Sequence, residues 1–153
     1  MRLNSILPLW RRFLGLPRGR RRLLLEAMFW LAAARLAILL VPFPRIARYL
    51  GKMYPPAQET GSSQTEPATA GGGSWAVERA ARLLPFKVVC LPRALAAWQM
   101  LHRRRIAGRL HFGGSRDAAS AALRMHAWLD ACGVEVTGYP EARNCVEIGF
   151  FAR

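Results

Sequence analysis

Residues 86–112 read FKVVCLPRALAAWQMLHRRRIAGRLHF, and within them the apolar period changes. Ala94, Leu95, Trp98 and Leu101 share one face of a helix, while Arg93, Gln99 and Arg103 lie away from it. Pro92 suits the first turn, because its missing N–H has no helical partner there. Arg103, Arg104 and Arg105 end the helix favourably against its dipole. From Ile106 the period falls to two, so Ile106 to Phe112 reads as a strand.

The same reading extends in both directions. Met125 to Ala131 (MHAWLDA) alternates again, Cys132-Gly133 makes a turn, and Val134 to Thr137 forms the partner strand. Val146 to Phe151 supplies a last strand. Upstream, Trp75 to Leu84 is a short amphipathic helix stopped by Pro85. A helix followed by antiparallel strands defines an α+β class. Residues 55–74, PPAQETGSSQTEPATAGGGS, are polar and read as a flexible linker or disordered loop. Residues 1–54 form an N-terminal helical region with breaks at Pro8, at Pro17 with Gly19, and at Pro42 to Pro44. Residues 75–153 are left as the part that carries chemistry.

Leu23 to Phe43 (LLLEAMFWLAAARLAILLVPF) has the length of a membrane span. Glu26 and Arg35 interrupt it on opposite sides, and a charge near mid-span costs about 2.5–3.5 kcal/mol. The segment is therefore expected to be a mostly buried helix. The cluster Arg18 to Arg22 before it leaves peripheral contact with a membrane surface open.

The 153 residues suffice for one domain with a core, and 52% apolar content excludes general disorder. Charge is the unusual quantity: 23 Lys and Arg against 9 Asp and Glu give +14. Such a surface attracts nucleic acid, anionic lipid or acidic peptide. The arginines lack interleaved aromatics and any known reading motif, so no nucleic acid partner is expected. Cys90, Cys132 and Cys145 form an odd set without metal-ligand spacing. Reduced thiols and no metal fit a cytoplasmic protein, and the N-terminus makes a poor secretory signal.

Cys90 sits just before a helix N-terminus, where backbone N–H groups and the dipole favour a thiolate, and Lys87 and Arg93 add to that field. A buried structural cysteine fits the same position, since free Cys is among the most buried residue types. Three histidines are candidate bases. His102 lies in the basic helix end and reads as solvated; His111 faces away from Leu110 and Phe112; His126 opens HAWLD on a strand. A helix-borne Cys and a strand-borne His can form a thiolate–imidazolium pair across a cleft.

Cys90-Leu91-Pro92-Arg93-Ala94-Leu95-Ala96, the basic stretch Leu101 to Leu110, and His126-Ala127-Trp128-Leu129-Asp130 occur in one order. That order resembles the transglutaminase-like cysteine peptidases of lasso peptide biosynthesis, the protease half of the B protein. The stretch RRLLLEAMFWLAAARLAILLVPFPRIARYLG is similar to the paired helices that precede the catalytic part in that family. The resemblance implies a transglutaminase-like (papain-like) core with an N-terminal helical extension. It implies a leader peptidase that cleaves a ribosomally made precursor peptide and needs no cofactor.

Cys90 would be the nucleophile and His126 the base. The family's third group, usually Asp, falls twelve positions after the His, which here is Gly138, without a side chain. Asp130 is an alternative third group, but four residues along a strand is about 13 Å. Glu135 falls out of register; Glu141 or Asn144 would have to fold back, and a plain Cys–His dyad remains open. The oxyanion hole would use the Cys90 N–H and one further donor. Trp128, on the His126 side of the strand, is a candidate cleft wall or simple core. The front of the chain reads as helix rather than as a leader-binding module. The expected partners are therefore a precursor peptide, a separate leader-recognition protein and a macrolactam-forming cyclase. The competing reading is a non-enzymatic basic binding or membrane-surface protein on the same scaffold.

Overall fold

The computed structural model describes residues 15–56, 67–116 and 122–152, giving only the helical course for 67–70. Helix α1 (Arg18–Leu40) ends at Val41, and Pro44 opens the first turn of α2 (Phe43–Leu50). A two-residue strand β1 (Met53–Tyr54) follows, then α3 (Pro67–Leu83) and α4 (Cys90–Arg103). Strands β2 (Arg109–Arg116), β3 (Leu123–Ala131) and β4 (Val134–Thr137), a 3₁₀ turn (Glu141–Asn144) and β5 (Val146–Ala152) complete the chain. The five strands form one antiparallel sheet in the order β1-β5-β2-β3-β4. The α+β class is thus the observed one.

Alternation along the strands gives the sheet two unlike faces. Leu110, Ala127, Leu129, Ala131 and Phe151 join the core with Ala94, Ala97, Trp98 and Leu101 of α4 and Leu24, Ala27 and Leu31 of α1. On the other face stand Arg109 and His111, then His126, Trp128 and Asp130, and Phe150, as the register pairs His111↔Trp128 and His111↔Phe150 require. Cys132 and Gly133 both take positive φ, 52° and 74°, as a two-residue hairpin turn requires.

Three expectations are corrected. Part of the expected linker, residues 67–74, is helix: α3 begins at Pro67, while residues 57–66 lie outside the described residues. Gly73 is buried within α3, and α3 packs along α1. Second, the boundary at residue 54 cuts through the sheet, since Met53 and Tyr54 pair with Phe151 and Phe150. Two residues are too few to show a period. Third, α1 is not mostly buried. Leu24, Ala27, Leu31 and Ala34 are buried, whereas Leu25, Phe29, Leu36, Leu39 and Leu40 are exposed, because α3 and α4 cover only one side. By length and composition the helix is apolar enough to cross a membrane.

Glu26, on the flank of α1, accepts two bonds from Arg104, at 2.6 and 3.1 Å, and lies 3.5 Å from Arg103. The Arg104 hydrogen bond holds the Glu26 carboxyl below its ordinary range, against the opposing effect of burial. This clamp fastens α1 to the C-terminal end of α4.

Candidate active site

Cys90 is the first residue of α4, after an extended Val89, and its side chain is half-buried. The first helical bond into this turn is the long one from the Arg93 N–H to the Val89 carbonyl, 3.5 Å. The N–H groups of Cys90 and Leu91 precede it and have no partner one turn back in the helix. Pro92 has no N–H to offer. Two adjacent backbone donors at the start of α4 are thus left without a helical partner. Arg93, three residues on, pairs with Glu78 of α3 at 3.4 Å.

His126 is half-buried on β3, and its Nε2 lies 2.7 Å from the carbonyl oxygen of Gly138. A carbonyl only accepts, so Nε2 carries the proton and the neutral ring presents Nδ1 as its free lone pair. The residue twelve positions after His126 thus contacts its ring through the backbone oxygen rather than a side chain. A bulge makes this work: Leu129 pairs with Thr137 but Asp130 with Glu135, so Val136 is the extra residue. The shift lays Gly138 against Trp128, and its carbonyl reaches the His126 ring. Gly138 has φ 91°, and a Cβ there would fall 2.6 Å from Trp128 Cβ. No other residue fits without a shift of the strand.

The His126 ring stacks on Trp128 at 6.1 Å, and Trp128 stacks on His111 at 5.4 Å with the planes 4° apart. Trp128 can lie across the sheet because Gly113 leaves room: a Cβ there would be 2.8 Å from Cη2 of the indole. His111 is anchored in turn by Glu147, whose Oε1 is 2.8 Å from Nδ1, and faces Asp130 at 3.4 Å. Glu147 reaches it only because β5 bulges: Gly113 pairs with Glu147 and Phe112 with Gly149, skipping Ile148.

Asp130 does not approach His126. It accepts a 2.5 Å hydrogen bond from the Tyr139 hydroxyl and lies beside His111. Burial raises its carboxyl above the ordinary range, against the Tyr139 hydrogen bond, and burial likewise pushes the Tyr139 phenol far up. Glu135 is held by Arg143 at 2.8 Å, and Glu141 and Asn144 are exposed on the 3₁₀ turn without contact to His126. His102 is exposed, as expected. No hydrogen bond joins the Cys90 thiol to the His126 ring. Among the described residues no group of His, Cys, Asp and Glu could hold a metal ion. An apolar cavity of about 350 Å³ between α1, α2 and α4 touches neither Cys90 nor His126.

The His111–Glu147–Asp130–Tyr139 network was not foreseen, because both bulges are invisible to alternation. One signal was present: paired glycines inside a strand (Gly113, Gly114) mark close approach by another group.

The family model for the transglutaminase-like superfamily matches residues 37–147, from the end of α1 into β5. The chain belongs to that superfamily, which includes cysteine peptidases and transglutaminases. No curated protein and no solved structure matches it.

Proposed function

We propose that the chain is a cysteine peptidase that removes the leader from a lasso peptide precursor. The observation that carries this reading is the His126 Nε2–H bond to the Gly138 carbonyl, 2.7 Å, which frees Nδ1 to act as a base. In the proposed cycle Nδ1 takes the proton of Cys90 Sγ, and the sulfur attacks the carbonyl carbon of the scissile bond. The Cys90 and Leu91 N–H groups hold the oxyanion. The C–N bond breaks as the imidazolium gives its proton to the leaving amine, and a thioester remains. Water, deprotonated by Nδ1, then releases the acyl product and the free thiol.

Cys90 opens α4, which packs on the core face of the sheet, whereas His126 stands on the other face, so the scheme requires the Cys90 turn and β3 to shift on substrate binding before Sγ meets Nδ1. The chain acts in the cytoplasm with a separate leader-binding protein and a macrolactam-forming cyclase. Its +14 charge speeds encounter with an acidic leader or partner.

The unjoined thiol and imidazole favour a second reading, a non-enzymatic binding protein on the same scaffold. One experiment separates the two. Purified chain, the precursor encoded beside it and the leader-binding protein are incubated, and free leader is followed by mass spectrometry. Leader release that Cys90→Ala abolishes supports the peptidase; no release, or equal release by Cys90→Ala, overturns it.

A further inference from the structure

The outer face of α1 is an apolar surface that the described residues leave uncovered. At about 100° per residue, Leu25, Phe29, Ala32, Leu36, Leu39 and Leu40 fall within one sector, opposite the buried Ala27, Leu31 and Ala34. Phe29 is 62% exposed, Leu39 63% and Leu40 76%. Arg18 and Arg22, both exposed, lie on this sector one to two turns before Leu25. Arg45 and Arg48 are exposed on α2, just beyond its other end.

Charge identifies the occupant. Glu26 is the only acidic residue before Glu59, and its carboxylate is turned to Arg104 and Arg103 of α4. No acid therefore stands on the outer sector, and cations flank its apolar centre. An apolar strip bordered by arginines alone fits the boundary between acyl chains and anionic headgroups. A partner helix of ordinary composition would meet unpaired arginines at both ends.

We propose that this face of α1 docks flat on an anionic lipid surface, with Leu25, Phe29, Leu36 and Leu39 entering the acyl boundary and Arg18 and Arg22 meeting headgroup phosphates. The inference is independent of the chemistry at Cys90. It also gives the 23-residue apolar helix a role without a transmembrane crossing, because Leu24, Ala27 and Leu31 stay in the core.

The test is sedimentation of the full chain with phosphatidylcholine vesicles, with and without about one third phosphatidylglycerol. Expected is binding to the anionic vesicles only, weakening as salt is raised. Phe29→Glu with Leu36→Glu should weaken it about tenfold or more, as should Arg18→Glu with Arg22→Glu. Both pairs are exposed, and circular dichroism verifies their folding; the salt and lipid dependence of the unaltered chain stands without them. Absence of binding, equal binding to neutral vesicles, or unchanged binding by folded variants would overturn the proposal. So would a solution dimer that ignores vesicles and that Phe29→Glu with Leu36→Glu dissociates, since the face would then cover a second copy.

Discussion

The His126 ring and the backbone of Gly138 are joined through Nε2–H and a carbonyl oxygen at 2.7 Å. This bond fixes the ring's tautomer without a carboxylate, so the imidazole is oriented by backbone geometry. A carbonyl is a weaker partner for an imidazolium than an anion is, so the charged ring gains less from it.

The first prediction concerns that glycine. Gly138→Ala meets a positive φ and a 2.6 Å contact with Trp128 Cβ, and should cost at least about 2 kcal/mol in denaturant unfolding. Gly138→Asp places a carboxylate there, yet meets the same obstruction. It should be destabilised to a similar degree and gain no activity. A stable, more active Gly138→Asp would show that the backbone carbonyl is not the working partner.

Gly113→Ala should act through Trp128. The added methyl would clash with the Val146 carbonyl and fall 2.8 Å from the indole, so the His111–Trp128–His126 stack must open. Near-ultraviolet circular dichroism should change while the far-ultraviolet spectrum persists. Unfolding should shift by about 1–3 kcal/mol.

Glu26 gives a pH-dependent prediction. Its folded pKa is depressed by Arg104, so its stabilising effect is present above the ordinary carboxylate range. That effect is lost as pH falls below the ordinary carboxylate range through the folded value. Glu26→Gln should cost about 1–2 kcal/mol at neutral pH, and the difference from the unaltered chain should shrink on acidification.

Asp130 should behave oppositely. Burial raises its folded pKa, so its contribution is fully present below the unfolded value and is lost as pH rises through the folded one. Asp130→Asn keeps an acceptor for the Tyr139 hydroxyl. Its stability relative to the unaltered chain should therefore improve as pH rises from about 4. A gap that does not vary with pH would show that the carboxyl is not shifted.

Much of this architecture can be read without coordinates, and the failures have physical causes. The turn at Cys132-Gly133 and the pairing of Val134 and Glu135 with Ala131 and Asp130 were legible, since a two-residue turn fixes the register next to it. His126 and Trp128 share a face as period two demands. Bulges at Val136 and Ile148 break that rule, and with it the positions of Gly138 and Glu147. Gly71 to Gly73 read as linker because helix propensity disfavours glycine, but close packing on α1 outweighs propensity here. The exposed face of α1 was illegible for a simpler reason. An apolar run shows that a face avoids water, and only the fold shows which side the protein itself covers.

The central claim is that Cys90 is a nucleophile served by His126. It is tested most directly by the rates at which Cys90, Cys132 and Cys145 are alkylated by iodoacetamide at neutral pH, resolved by peptide mass spectrometry. All three thiols are half-buried, so exposure alone does not separate them. Cys90 should react about tenfold faster or more, and His126→Ala should bring it down to the rate of the other two. A Cys90 no faster than Cys132 and Cys145, or one indifferent to His126→Ala, would contradict the account.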